Sequence, residues 1–433
     1  MKFYNINQPA EKVSFRQAVL QGAASGQGLY FPEQIPALPR GFPEGAGASS
    51  LAHLAVPLLQ PFVEDDLTHD ELSDVCHSAF NFPVPLKQLE KQLFVLELFH
   101  GPSLAFKDVG ARFLSEVLKK FSRHLRRRIT VLVATSGDTG SAVAQGFHNV
   151  DGIDVVLLYP SGKVSSLQEK TLTTVGGNVQ ALEVEGAFDD CQKLVKQAFA
   201  DDEVTSRMNL TSANSINIGR FIPQMVYYFW AWSQLAGSDN RKVVFSVPSG
   251  NYGNLSAGLM AWRMGLPVEY FVASSNVNRV FPDYLDSGEY RPRQAVRTIS
   301  NAMDVGNPSN FVRIAEMFGH DPCRVRERVR YHVSDDRQTR DAISQVYRED
   351  GYVLDPHGAV GYLGCRHHLQ PGETGVFLET AHPAKFKDTV DPCIEDEVAL
   401  PPYLSEMMSK PGRSVPMPAH YESFRDWLLS HAD

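Results

Sequence analysis

Lys107 sits in His100-Gly101-Pro102-Ser103-Leu104-Ala105-Phe106-Lys107-Asp108, between Phe106 and Val109 and just after an apolar run at 93–99. Most lysines are solvated charges. One held in apolar surroundings is costly to protonate, and its neutral amine becomes a nucleophile and a base. Two glycine-rich turns raise the interest of this one. Ser249-Gly250-Asn251-Tyr252-Gly253-Asn254 follows the apolar run 243–247, and Thr135-Ser136-Gly137-Asp138-Thr139-Gly140 follows the run 129–134. Glycine lets the backbone come close to a ligand, and N–H groups at a helix start converge on an anion. Neither turn carries Gly-Lys-Ser/Thr or Gly-x-Gly-x-x-Gly, so neither is a nucleotide loop of the usual kinds. Taken singly, each turn is equally well explained as a capped helix start. Taken with an amine in a dry setting, they are the parts needed to hold pyridoxal phosphate. The lysine takes the aldehyde, a turn takes the phosphate, and the ring serves as electron sink.

The elements that must position these residues follow from periodicity. Continuous apolar, β-branched runs at 129–134, 154–159, 178–184, 243–247, 268–273 and 375–378 predict buried strands. Helical patterns at 141–148, 165–175, 188–200 and 255–264 separate them. Such alternation predicts an α/β protein with mostly parallel sheets, whose ligands gather in the turns at the carboxyl ends of strands. Residues 1–95 differ. They hold a Pro/Gly-rich stretch and two short helical patterns, at 51–59 and 70–80, without a repeating strand–helix unit. The last 40 residues, rich in Pro and Ser, read as peripheral helix and tail.

Composition excludes several classes. The 433 residues carry 41 Lys+Arg against 50 Asp+Glu, a formal net charge of −9. That surface attracts neither nucleic acid nor an anionic membrane as a whole, so an anionic substrate needs a local cluster of donors. The basic run at 119–128 reads as a solvated helix end, and His367-His368 as surface residues without a metal. Five cysteines, Cys76, Cys191, Cys323, Cys365 and Cys393, form no close pair. A reducing compartment, with a cytoplasmic location, is the expectation. No apolar stretch is long enough to span a bilayer.

The motifs HGPSLAFKD, ATSGDTG, SANSINIGR at 212–220, VPSGNYGN at 247–254 and ETAHPAKF at 379–386 resemble, in this order, those of the bacterial threonine synthase family. The resemblance runs from the first residues to about Asp388. It implies fold type II of the pyridoxal phosphate enzymes, with two mostly parallel open-sheet α/β domains and an additional N-terminal region. The implied division is 1–95, a large cofactor domain from 96–112 and 236–400, a smaller domain at 113–235, and a tail at 401–433. Residue by residue, Lys107 matches the catalytic lysine that binds the cofactor's aldehyde. Gly250, Asn251, Tyr252, Gly253 and Asn254 match the cofactor-phosphate loop. Thr380 matches the hydroxyl facing the pyridine nitrogen, and Asp138 stands beside the ring hydroxyl where relatives often have asparagine. Thr135, Ser136 and Thr139 match the loop that receives the substrate α-carboxylate. Asn214, Ser215 and Arg220 match groups that recognise a substrate phosphate, with Ser103 as a further donor. Lys385 is a weaker candidate, since its neighbour Lys387 suggests a basic, solvated stretch. The implied reaction is loss of phosphate from O-phospho-L-homoserine with addition of water at Cβ, giving L-threonine. A serine/threonine dehydratase-like lyase with the same cofactor is the alternative. It has no second phosphate to bind, so the 214–220 cluster discriminates. A further alternative is a protein of this fold that has lost catalysis and only binds a partner.

Overall fold

The structure, a computed structural model, describes residues 1–38, 49–135, 137–235 and 242–432. Ile129–Ala134 is buried at all six positions, as its uninterrupted apolar run demands of a strand covered on both faces. Along the chain the strands are β1 (Lys2–Asn5), β2 (Gln8–Ser14), β3 (Tyr30–Pro32), β4 (Leu86–Glu90), β5 (Leu93–Glu97), β6 (Ile129–Ala134) and β7 (Ile153–Pro160). They continue as β8 (Val179–Glu185), β9 (Asn209–Ser212), β10 (Lys242–Pro248), β11 (Tyr270–Ser275), β12 (Val329–Val333), β13 (Glu373–Glu379) and β14 (Val415–Pro418).

Three sheets result. The first three strands form a small antiparallel sheet in the order β2-β1-β3. A six-stranded sheet has the order β12-β11-β10-β13-β5-β4 and is parallel except for its edge strand β4. A five-stranded sheet, β14-β8-β7-β6-β9, is parallel throughout. Two open parallel sheets covered by helices are the α/β architecture that the alternating pattern predicts.

The C-terminal residues do more than trail. Helices Pro402–Ser409 and Tyr421–Ser430 flank β14, which adds to the edge of the five-stranded sheet beside β8. Its sequence, Val-Pro-Met-Pro, buries only Met417, and two prolines are tolerated there because an edge strand has donors to spare. At the other end, β4 and β5 carry the six-stranded sheet back to Leu86.

The register places the turns. β10 and β13 are neighbours, with Ser246 opposite Phe377, so residues 249–254 and Thr380 emerge side by side at the carboxyl edge. β5 lies on the other flank of β13 and leads into the segment carrying Lys107.

Candidate active site

Lys107 opens the helix Lys107–Ser122, and the chain before it is pinned to the end of β13. Phe106 N–H donates to Thr380 O at 2.9 Å, His382 N–H donates to Leu104 O at 3.0 Å, and Ala105 bridges Ala381. Thr380 therefore fixes the approach of Lys107 through its own backbone. The Lys107 side chain is 16% exposed, and its Nζ lies 3.7 Å from Asp138 Oδ2. Burial lowers its pKa. Asp138 opposes that shift, while Lys385 and Arg220 add to it by repulsion.

Asp138 is the first residue of helix Asp138–Phe147 and follows Gly137, whose φ of 139° is open to glycine but rarely to other residues. A Cβ on Gly137 would lie 2.6 Å from the Gln168 side chain. Thr135 Oγ1 accepts from the N–H groups of Gly137 at 3.0 Å and Gly140 at 2.8 Å, so this hydroxyl shapes its own turn. Thr139, second in the helix, is partly exposed. Ser136 lies outside the described residues. Burial would raise the Asp138 carboxyl, but Lys385 and Lys107 outweigh it and hold the group well below the usual carboxylate range.

Lys385, the weaker candidate by sequence, is not part of a solvated stretch. Its side chain is 1% exposed, and its Nζ lies 2.7 Å from Asp138 Oδ1. The same ammonium donates to Ser103 O at 3.1 Å. Ser103 N–H in turn donates to Asp108 Oδ2 at 2.9 Å, and burial pushes the Asp108 carboxyl up to about 6. Ser103 Oγ is buried without a protein partner.

The glycine turn after β10 is built to cradle. Tyr252 sits in the left-handed region with φ 58°, held by its hydroxyl on Ser275 Oγ at 2.9 Å and its ring on Phe281. A Cβ on Gly250 would lie 2.7 Å from Ala302 O. Asn251 Nδ2 donates to Ser215 Oγ at 2.6 Å, and Asn251 Oδ1 accepts from Ser309 N–H at 2.6 Å. Asn254 Oδ1 accepts from Tyr227 and Tyr228, which leaves Asn254 Nδ2 buried with no partner. Ser215 thus joins the 214–220 segment directly to the 250–254 loop. Gly253 packs against Asn310, which donates to Asn251 O at 3.1 Å.

Arg220 is 3% exposed and lies in the short helix Ile218–Phe221. It donates to Ala213 O at 2.7 Å, while its Nε and the neighbouring Asn214 Oδ1 have no partner. Burial lowers its pKa to about 10, with Asp108 opposing. Arg313 is a further residue of the site that no sequence motif marks. Fully buried, it donates to Asn310 Oδ1 at 2.6 Å and Ile216 O at 2.6 Å and so clamps the 215–216 turn to the cradle. The one sign of it in the sequence is its place three residues after Asn310, on one face of a helix start.

The structure therefore gathers Lys107, Asp138, Lys385 and Arg220 around one buried amine, with Ser215 on the cradle of 250–254. Unpartnered buried donors at Asn254, Ser103 and Arg220 suit an anionic, hydrogen-bonding ligand. Family models agree with this. The one described as "Pyridoxal-phosphate dependent enzyme" matches residues 79–380. "Threonine synthase N terminus" matches 2–80, and "Threonine synthase, C-terminal" matches 358–427. The threonine synthase of Escherichia coli is 42% identical over 431 residues, covering 100% of both chains. The chain belongs to the threonine synthase family of pyridoxal-phosphate-dependent enzymes. A threonine synthase from Brucella melitensis, solved with pyridoxal phosphate bound, superposes with a TM-score of 0.93 at 35% identity, covering 100% of this chain and 99% of that one. The family's cofactor is pyridoxal phosphate, and the residues just described fit it. A threonine deaminase from Solanum lycopersicum superposes with a TM-score of 0.54 at 15% identity, covering 75% of this chain and 92% of that one, a likeness of fold alone. Among the described residues no helix is long and apolar enough to cross a membrane.

Proposed function

We propose that the chain converts O-phospho-L-homoserine and water to L-threonine and phosphate. The observation that carries this reading is a buried lysine amine, 3.7 Å from Asp138, set between two glycine turns in a chain that matches threonine synthases from end to end.

Lys107 would bind the cofactor's aldehyde, Gly250, Asn251, Tyr252, Gly253 and Asn254 would hold its phosphate, and Thr380 and Asp138 would hold its ring. When bound, the cofactor accepts the electron pair left as protons leave the substrate carbon chain. Lys107 Nζ takes the α-proton, hands it on and, neutral again, takes the β-proton, for which a lowered pKa suits it. Arg220 Nε and Asn214 hold the substrate phosphate, and Arg220 stays cationic at neutral pH. The carbon–oxygen bond at Cγ breaks and phosphate leaves, the hydroxyl of water adds at Cβ, and the two protons taken from the substrate and the one left by water go to Cα, Cγ and the departing phosphate, giving threonine. The turn at 135–140 receives the substrate carboxylate, and Ser103, whose Oγ has no protein partner, is a further donor to the substrate phosphate. The division into 1–95, 96–112 with 236–400, 113–235 and 401–433 is part of this reading, the 113–235 unit closing over substrate to exclude water. All five cysteines are unpaired, which suits the cytoplasm as its compartment.

Separate incubations with O-phospho-L-homoserine and with L-threonine test the assignment. Phosphate and threonine from the first substrate are expected. Release of a 2-oxo acid from threonine, with no phosphate from phosphohomoserine, would overturn it in favour of a dehydratase.

A further inference from the structure

We propose that Lys385 is a positioning residue for Lys107: its ammonium occupies the Asp138 carboxylate, so that Lys107 remains free to act as an amine. The inference rests on Lys107 being the cofactor lysine.

Asp138 stands between two ammonium groups that are not equivalent. Lys385 Nζ lies 2.7 Å from one carboxylate oxygen, whereas Lys107 Nζ lies 3.7 Å from the other. The scaffold fixes that order. Lys385 sits in the turn Pro383–Phe386, directly behind the Thr380–His382 segment that is bonded to the chain before Lys107. Its ammonium is held from a second side by Ser103 O at 3.1 Å, and its side chain is 1% exposed.

Charge then follows from contact. A buried carboxylate with Lys107 as its one cation would draw that ammonium in and keep it protonated. With Lys385 already on the carboxylate, the attraction is shared, and Lys385 repels a proton on Lys107 in a medium where such terms are strong. The groups that face Lys107 are Asp138 from helix Asp138–Phe147, Lys385 from the turn Pro383–Phe386 and Arg220 from helix Ile218–Phe221. His357, from helix Pro356–His368, also acts on Asp138, and Asp108 acts on Arg220. Lys385 and Lys107 are the cations within ion-pair reach of Asp138 among the described residues.

The test follows attachment of pyridoxal phosphate to the full chain, freed of cofactor, as a function of pH. Borohydride reduction traps the product, and peptide mass mapping locates it. The midpoint of the rate–pH curve for Lys107 should rise by about one pH unit or more in Lys385→Met, a tenfold loss of neutral amine below the midpoint. Lys385→Arg, which keeps the charge, should hold the wild-type midpoint, and Lys385→Met with Asp138→Asn should return towards it. A structural role alone predicts no such restoration. An unmoved midpoint in Lys385→Met, or a double variant that stays shifted, overturns the proposal. Should Lys385→Met not fold, Asp138→Asn decides. Its midpoint is compared with that of Asp138→Asn carrying Lys385→Met: the single variant keeps the repelling ammonium and must lie lower, while equal midpoints refute the idea. An adduct on another lysine would refute the assignment of Lys107 itself, a result distinct from any midpoint.

Discussion

Gly250 offers the sharpest test of the cradle. A Cβ there would meet Ala302 O at 2.7 Å and Met303 Cα at 2.7 Å, both of them main-chain atoms. One side of this contact must move, and the turn at 300–303 is tied from several directions. Ala302 N–H donates to His357 Nε2 at 3.2 Å, and His357 Nδ1 is 2.5 Å from Asp355 Oδ1. Asn276 Nδ2 donates to Ser300 Oγ at 3.1 Å, and Met303 is 3% exposed. The displacement therefore falls on the cofactor-phosphate loop. Overpacking of this kind costs about 1–3 kcal/mol. At about 1.4 kcal/mol per factor of ten, Gly250→Ala should weaken pyridoxal phosphate binding by roughly five- to 150-fold. Titrating the cofactor-free protein and following its tryptophan fluorescence measures this directly.

Gly253→Ala is the internal control. Its Cβ would first meet Asn310 Nδ2 at 3.2 Å, the end of a side chain rather than backbone. Gly253 also opens the helix Gly253–Met264, where alanine recovers up to about 1 kcal/mol of helix propensity. The expected change in affinity is under about threefold. Equal affinities for Gly250→Ala and wild type, at unchanged melting temperature, would refute the claim that the 300–303 turn sets the shape of the cradle. Equal losses for both variants would refute the distinction between backbone and side-chain contact.

Three further outcomes are expected. Lys107→Ala should leave no borohydride-stable cofactor adduct and lower threonine formation by ~10² to 10⁴ or more, and a surviving adduct at another lysine would disprove its role. Arg220→Met removes a buried cation whose Nε has no protein partner. It should lower kcat/KM for the phosphate-bearing substrate by about 10- to 150-fold, from 1.5–3 kcal/mol for a charged hydrogen bond, without changing cofactor affinity. His332 is held down to about 4 by burial first and by His367 and His368 next. Both folded and unfolded chains are neutral there at pH 7. Below about 6.5 the unfolded chain takes up a proton that the fold resists, so stability falls as pH drops from about 6.5 to about 4. In His332→Gln, melting temperatures should decline less over that window, and parallel slopes for the two proteins would exclude the effect.

Much of the fold was legible because single segments decide it. The run at 129–134 and the helix at 188–200 are found at the boundaries that periodicity sets, since burial on both faces and an amphipathic 3.6-residue repeat are local signals. The strand Val415–Pro418 was not legible. Four residues with two prolines carry no strand pattern, and only the waiting edge of β8 makes them one. In the site, Lys107 and the 250–254 turn announce themselves by glycine density and by a lysine in an apolar run. Ser215 does not reveal its partner, because its bond to Asn251 joins segments 36 residues apart that only tertiary packing brings together.

Lys385 shows where local reasoning misleads. Its neighbour Lys387 suggests a solvated stretch, yet Lys387 itself is only partly exposed, pairing with Asp391 at 2.8 Å and donating to Val398 O at 2.6 Å. Residues two apart at a helix start, however, face different ways, so the exposure of one says little about the other. The informative neighbours are Ala384 and Phe386, both buried, and the turn that follows directly on β13. By the standard applied to Lys107, a lysine between apolar residues at the carboxyl end of a strand, Lys385 qualifies as well. What separates the two amines is their contact with Asp138, a property of the assembled pocket that neither segment contains.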